Sequence, residues 1–333
     1  MDKKIAVVIM NWNGRLLMQE FLPSVVKYSD AAISDVIVAD NGSSDDSLKW
    51  LSENFPSVKQ LVFPENYGFA GGYNHAIKAL KEYEYIVLLN SDVEVTPDWL
   101  QPMLAYMESH PETAACQPKL KSYRNKDYFE YAGAAGGYID KNGYPFCRGR
   151  IFDETERDCG QYDNTIERIF WATGAAMFIR RADYITAGGL DTGFFAHMEE
   201  IDLCWRLNLM ERHIVIVPQS TVYHLGGGTL AAGNPRKTYL NFRNNLFMLY
   251  KNLPTKTGKQ AIIKRKILDG IAALMFAAKL NFGDVKAVWR AHRDFEKEKK
   301  HYTGQPGKNI MTEFPQCSRN IIVDYYIKGK KTY

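Results

Sequence analysis

The residues best suited to chemistry stand where apolar runs stop. Tyr85-Ile-Val-Leu-Leu89 has the length of a buried strand and ends abruptly in Asn90-Ser91-Asp92. Open α/β sheets bind ligands at the carboxyl edge of their strands. Asp92 is therefore placed to hold a divalent metal against a diphosphate, because hard cations prefer oxygen ligands. It is equally placed to cap the turn before Pro97. Val36-Ile-Val-Ala-Asp40 stops in the same way, ahead of Asn41-Gly42-Ser43-Ser44-Asp45-Asp46. Asp40 at a strand tip can accept the imide N–H of a uracil or thymine ring, or hold the sharp turn that Asn41-Gly42 permits.

Three further clusters carry polar side chains of the right kind. Glu65-Asn-Tyr-Gly-Phe-Ala-Gly-Gly-Tyr-Asn-His75 sets Gly68, Gly71 and Gly72 before a helix expected over 72–82, whose bare N–H groups suit a phosphate or sugar hydroxyl. Asn66 and Asn74 there are ligand contacts, or turn and helix-start residues. His197, Glu199, Glu200 and Asp202 crowd four ligands or proton carriers into six residues. In a helix starting near His197, Glu199, Asp202 and Arg206 share one side. Acids at a helix start also favour its dipole, but Phe194, Phe195 and Trp205 imply a partly buried setting. Burial beside another acid raises a carboxyl pKa, as a general base near neutrality requires. His224, following an apolar strand and preceding Gly226-Gly227-Gly228, is a satisfied structural residue or completes a metal site with Asp92.

A frame must position these groups. Strands at Ile5–Met10, Asp35–Ala39 and Ile86–Leu89, with a weaker one at Val58–Phe63, alternate with helical stretches beginning near Arg15, at Ser44-Asp45-Asp46 and near Gly72. The alternation predicts an α/β fold with a Rossmann-like, doubly wound, mainly parallel sheet flanked by helices. Residues 120–170, rich in Tyr, Gly and charge, predict an irregular or hairpin-containing insertion on the acceptor side. Regular structure returns at Trp171–Arg180, a helix near Glu199–Met210 and a strand at Ile214–Val217. From about Asn241 the pattern is helical and amphipathic, and includes Ile263, Ile267, Ile271, Leu274 and Ala278. We place the main domain at 1–254 and a basic helical extension at 255–333.

Composition narrows the class. With 46% hydrophobic and 24% charged residues among 333, the chain reads as globular rather than disordered. The net charge of +4 conceals 17 Lys+Arg against 7 Asp+Glu in residues 255–333, a local +10 that leaves −6 for residues 1–254. A basic extension suggests an anionic partner, most simply a membrane surface, or else a solvated, charge-mixed helical face. Its longest apolar run, Ile271–Ala278, falls well short of the roughly 20 residues a bilayer requires. Met1-Asp2-Lys3-Lys4 runs straight into a strand, unlike a signal peptide. Cys116, Cys147, Cys159, Cys204 and Cys317 show no CxxC spacing, which predicts reduced, mostly buried thiols. The expected location is cytoplasmic, with peripheral contact at the inner face of the plasma membrane, and no nucleic acid is implied as a partner. The first strand does not end in GxGxxG, and no P-loop occurs, so a dinucleotide oxidoreductase or an NTPase would lack its strongest signal.

In order, VVIMNWNG, VIVADNGSSDDS, ENYGFAGGYNHAI, VLLNSDV, WATGAAMFIRR, GGLDTGFFAHMEEIDLCWRL and VYHLGGG make the stretch from about Ile5 to Leu253 resemble the family 2 inverting glycosyltransferases of the GT-A fold, particularly the bacterial rhamnosyltransferase-like branch. The resemblance implies that Asp40 recognises the nucleobase, and that Asn11, Asn13, Asn66, Gly71, Asn74, Asn90 and Asp92 complete a nucleotide-sugar site. Asp92 would be the final acid of the DxD-type motif, binding Mg²⁺ or Mn²⁺ and the donor diphosphate, with Asn90 in place of the first acid. The family's catalytic Glu-Asp pair falls on Glu199-Glu200, which puts the base at Glu200 with Glu199 as the fallback. His224 matches a metal- or diphosphate-binding position, and Trp171, Gly174, Ala175 and Asp202 fall on the acceptor side.

The implied reaction moves L-rhamnose from dTDP-rhamnose, or a hexose from a UDP-sugar, to a polysaccharide or lipid-linked glycan precursor. A sugar-1-phosphate nucleotidylyltransferase would want a Gly-rich basic loop after the first strand, where Asn11-Trp-Asn-Gly14 is followed by Arg15 alone. A non-catalytic nucleotide-sugar-binding scaffold would have no need of Asp40, Asp92, Glu200 and His224 together.

Overall fold

Runs without polar alternation become strands covered on both faces. In the computed structural model, which describes residues 3–226, 233–304 and 307–333, β1 (Ile5–Asn11), β2 (Ser34–Asp40), β3 (Lys59–Val62) and β4 (Tyr85–Leu89) pair in parallel in the spatial order β4-β1-β2-β3. The connecting helices are α1 (Arg15–Tyr28), α2 (Ser47–Asn54) and α3 (Gly68–Ala79). A short β5 (Val93–Val95) and α4 (Gln101–Ser109) lead into the long β6 (Thr113–Ser122). Inside the insertion, β7 (Gly137–Ile139), β8 (Pro145–Cys147), β9 (Arg150–Ile151) and β10 (Glu154–Thr155) form a small antiparallel sheet of their own. The chain then adds β11 (Glu167–Arg168), β12 (Ala176–Arg180), α5 (Arg181–Thr186), α6 (Glu199–Leu209) and β13 (His213–His224). Among the described residues the main sheet runs β11-β13-β6-β12-β4-β1-β2-β3, with β5 paired to β13.

Strand direction decides which residues share an edge. β12 is antiparallel to both β4 and β6, so β4 and β6 point the same way, and β13 is parallel to β6. The carboxyl ends of β1, β2, β4 and β13 therefore gather on one edge, together with the start of β12, where Ala176 pairs with Leu89. Asn11, Asp40, Asn90 and His224 meet there by topology alone. The mainly parallel α/β sheet expected from the sequence is the observed one.

Two elements depart from expectation in extent. α3 begins at Gly68, so Gly71 and Gly72 lie inside the helix rather than ahead of it. A Cβ on Gly72 would stand 2.8 Å from Met10 Sδ, and one on Gly71 3.0 Å from Tyr67 Cβ. Gly72 lets the helix pack tightly against the end of β1, and Gly71 makes room for Tyr67 at the helix's own start. β13 spans twelve residues rather than four, with a register shift between Val217 and Thr221 that hides its continuity in the sequence.

The C-terminal helices α7 (Pro235–Asn252), α8 (Thr255–Ala278) and α9 (Phe282–Glu298) pack on one another. Leu246, Phe247, Leu249, Ile262 and Phe295 belong to the same apolar cluster as Tyr73 of α3 and Trp205 of α6. Buried Arg265 pairs with Asp269 at 2.9 Å, and Asp269 also accepts from Tyr144 of the insertion at 3.2 Å. The apolar stripe that marks α8 in the sequence faces outward. The buried side is Gly258, Ile262, Arg265 and Asp269 instead. No helix among the described residues is long and apolar enough to cross a membrane. The five cysteines are free thiols, all buried except Cys159.

Candidate active site

The ends of β1 and β2 are tied to each other before any ligand is considered. Asn11 and Asp40 sit opposite in register, and Asn11 Nδ2 donates to Asp40 Oδ1 at 2.8 Å. Asp40 also accepts from Ser43 Oγ at 2.6 Å and from the Ser43 amide at 3.0 Å. Its carboxylate, 1% exposed, holds the turn after β2, and a nucleobase contact would draw on the second lone pair of Oδ2. Asn13 accepts from the Ser44 and Asp45 amides at 2.7 and 3.2 Å. Asn41, expected from the sequence only as a turn residue, donates to Asn66 Oδ1 and the Gly68 carbonyl, both at 3.0 Å. These amides weld three loops into one rim.

At the end of β4 the Asn90 amide donates to the Ala175 carbonyl at 3.0 Å, and Asp92 lies nearly buried two residues on. β5 pairs His224 with Val93, so the histidine is brought beside Asp92, its Nε2 3.1 Å from Asp92 Oδ1. The other ring nitrogen, Nδ1, lies 3.3 Å from Glu130 Oε2, at ion-pair distance but off the line of a hydrogen bond. Glu130 was not among the residues the sequence singled out; nothing in its spacing ties it to His224. Burial would raise Asp92's pKa, but the His224 hydrogen bond and charge outweigh it and hold the carboxyl below its ordinary value. Burial would lower that of His224, yet the two carboxylates raise it to about 10. His224 is thus held as an imidazolium between two carboxylates, so Asp92 and the imidazole would fit Mn²⁺ or a similar cation only once the ring proton is displaced, with diphosphate oxygens or water filling the remaining positions. Among the described residues no group of three or more His, Cys, Asp or Glu is placed to hold a metal, so such an ion would depend on its ligand. The Gly227–Thr229 part of the glycine loop after His224 lies outside the described residues.

The acids of α6 occupy a strained turn. Phe195, His197 and Met198 all have positive φ, at 64°, 68° and 75°. Asn244 of α7, fully buried, fixes them by donating to the carbonyls of Phe194, Ala196 and His197 at 2.9, 2.8 and 2.8 Å. Backbone strain of this kind persists only where surrounding contacts over-determine it, and it clusters at functional sites. The turn delivers Glu199 and Glu200 to the first turn of α6, where the dipole favours their charge. Burial raises the Glu200 carboxyl to about 7. Glu199 is pushed well above the ordinary range by burial and then by the charge of Glu200, and its Oε2 has no hydrogen-bond partner. His197 is pushed down to about 4 by burial and the nearby Lys237 charge, so it is neutral.

Glu200 lies directly over Gly174: a Cβ on that glycine would be 3.5 Å from Glu200 Cβ. Gly174 precedes Ala175, whose carbonyl receives the Asn90 amide. Two contacts therefore connect the strained carboxylate to the β4 end that carries Asp92.

Other predicted site residues are committed to the protein itself. Asn74 donates to the Leu190 carbonyl at 2.8 Å and accepts from the Leu190 amide and Tyr184 hydroxyl at 3.0 and 2.6 Å, so it brackets α3 to the loop before α6. Trp171 is 3% exposed, packs flat on Gly137 and donates its indole N–H to the Tyr138 carbonyl at 2.8 Å. It therefore presents no ring to an acceptor. Asp202, fully buried, accepts from Arg206 at 2.9 Å, Lys251 at 3.0 Å and Asn252 at 2.7 Å, which joins α6 to α7. Its place is behind the site, not on the acceptor side. A cavity of about 870 Å³ lined by Lys141, Arg319, Asp324 and Lys328 shares no residue with this cluster.

Comparison with known proteins bears on the family and the fold. The family described as "Glycosyl transferase family 2" matches residues 6–179, just over half the chain. An N-acetylglucosaminyl-diphospho-decaprenol L-rhamnosyltransferase of Mycobacterium tuberculosis is 24% identical over 249 residues, covering 67% of this chain and 76% of the relative. Rhamnosyltransferase WbbL of Escherichia coli is 26% identical over 197 residues, covering 57% and 72%. Among solved structures, Staphylococcus aureus TarS 1-349 in complex with UDP-GlcNAc superposes with a TM-score of 0.57 at 15% identity, over 88% of this chain and 80% of that one. GalNAc-T7 with UDP, GalNAc and Mn²⁺ superposes with a TM-score of 0.64 at 16% identity, over 98% and 58%. At such identity the solved structures speak for the fold alone. From the family match and the rhamnosyltransferase relatives, the chain belongs to glycosyl transferase family 2, in its rhamnosyltransferase-like branch.

Proposed function

We propose that the protein is an inverting glycosyltransferase that moves L-rhamnose from dTDP-rhamnose to a hydroxyl of a polysaccharide or lipid-linked glycan precursor. The observation that carries the mechanism is Glu200 on its strained turn above Gly174, with a carboxyl titrating about 7, linked through Ala175 and Asn90 to Asp92. The donor assignment is supported by the rhamnosyltransferases among its relatives. A carboxylate reading a pyrimidine imide edge treats uracil and thymine alike, so a UDP-hexose remains the alternative donor.

In this reading the acceptor hydroxyl lies against Glu200. The carboxylate takes its proton as the oxygen attacks the anomeric carbon from the face opposite the diphosphate. The new C–O bond forms as the bond to the diphosphate breaks, and its electron pair leaves on the nucleoside diphosphate. Asp92 and His224 are the residues that would hold a divalent cation, which when bound offsets charge on the departing diphosphate. Glu130 pairs with the charge of His224, and Asn244 keeps the turn beneath Glu200 in place.

The test is turnover of dTDP-rhamnose with the anomeric configuration of the product read by NMR. Inverted product from the wild type, and a loss of about 10²–10⁴-fold in Glu200→Gln with donor affinity unchanged, are expected. A retained configuration, or near-normal turnover in the variant, would overturn the mechanism.

A further inference from the structure

We propose that the outer face of α8, continued through the turn into α9, is a surface that seats on the anionic headgroups of a lipid bilayer. Ile263, Ile267, Ile271 and Leu274 recur at helical spacing along one line. They are 61%, 63%, 51% and 71% exposed. Met275, Leu280, Phe282 and Trp289, later in α8, in the turn and in α9, are exposed as well. The opposite side of α8, through Ile262, Arg265 and Asp269, is the side packed into the protein. An exposed apolar line of this kind along a helix is uncommon on a soluble monomer and marks an interaction site.

The charges around the strip select the partner. Between residues 255 and 293, Lys256, Lys259, Lys264, Lys266, Lys279, Lys286, Arg290 and Arg293 are exposed. The two acids of that stretch, Asp269 and Asp284, are 0% and 3% exposed. Lys266 and Arg293 pair with Glu296 and Asp294, both at 2.8 Å, and the other six have no acidic partner among the described residues. The outward surface is thus apolar and mainly cationic: no acid between residues 255 and 293 is exposed, and the exposed Glu296 farther along α9 is paired with Lys266 and Lys299. A second copy of the chain would set lysine against lysine. An anionic bilayer answers both features at once: acyl chains receive the isoleucines and leucines, and headgroups receive the basic side chains. Trp289 is the amphipathic ring suited to the boundary between them.

The proposal does not rest on the transferase reading, and its test needs no turnover. The full chain is floated with vesicles of phosphatidylcholine alone and of phosphatidylcholine with roughly a third phosphatidylglycerol, the anionic component whose surface potential attracts basic segments. Binding to the anionic vesicles, released by salt, is expected. Ile267→Ser and Ile271→Ser should each weaken partition by at least ~10-fold. Lys259→Gln and Lys264→Gln should each weaken it by about fivefold. All four positions are exposed, and an unchanged melting curve shows that each variant folds. Absence of partition, or partition indifferent to these substitutions, would overturn the proposal. So would a lipid-free dimer that Ile271→Ser converts to monomer, since the face would then be a subunit interface.

Discussion

Glu199→Gln separates the two acids at the start of α6. Of the pair, it is Glu199 that feels its neighbour's charge: burial and then the Glu200 carboxylate push it well above the ordinary range, whereas burial brings Glu200 to about 7. Glu200 as the base requires that it ionise first, while Glu199 keeps its proton. A glutamine at 199 replaces a neutral carboxyl with a neutral amide of nearly the same shape. The base must be deprotonated to act, so wild-type kcat should fall about tenfold per pH unit below 7 and level off above about 8. Glu199→Gln should keep that midpoint and most of the rate. If Glu199 were instead the ionised member, deleting its charge would change the profile strongly. Two unit charges ~6 Å apart at an effective dielectric of ~20 interact by ~3 kcal/mol, about two pH units. The assay is kcat against pH at saturating donor for the wild type and both single variants. A midpoint lowered by a unit or more, or a loss in Glu199→Gln as large as in Glu200→Gln, would refute the assignment.

Other substitutions probe the support around the site. Glu130→Ala removes one of the two carboxylates that keep His224 charged and should lower that imidazole's pKa from about 10, read by NMR titration; an unchanged value would contradict the ion pair. Asp202→Ala leaves Arg206 and Lys251 without their shared partner and should cost roughly 3–5 kcal/mol in urea unfolding. A cost under about 1 kcal/mol would contradict its role as the α6–α7 joint. Trp171→Phe loses the bond to the Tyr138 carbonyl and should lower stability by about 1 kcal/mol or more with the acceptor KM unchanged. A raised KM at full stability would return Trp171 to the acceptor side.

The fold was legible where local pattern and environment coincide. β1, β2 and β4 are covered on both faces, so their apolar runs announce them. α6 was placed by its acids and flanking aromatics. The order of the sheet was not legible: β12 enters antiparallel between β4 and β6, a pairing that depends on contacts far apart in sequence. The site shows the same division. Asp92, His224 and Glu200 were singled out because they stand at element ends with chemistry-bearing side chains, and the fold brings Asp92 and His224 together. Asn74 and Asp202 carry equally suitable groups, yet their partners are protein: Asn74 bonds the Leu190 backbone, and Asp202 bonds Lys251 and Asn252. Side-chain type cannot reveal whether a polar group's partner is a ligand or a distant part of the same chain. Glu130 was missed for the converse reason, since it reaches His224 only once the segment after β6 has folded back over the carboxyl edge. The stripe on α8 was read correctly as apolar, but its direction is set by Ile262, Arg265 and Asp269, which pack inward in its place.

The most direct measurement is calorimetric titration of the protein with dTDP and with UDP, each with and without Mn²⁺, repeated on Asp92→Ala. Micromolar binding that requires the metal and disappears in the variant is the predicted result. Binding of neither nucleotide, or binding that survives without both the metal and Asp92, would contradict the account.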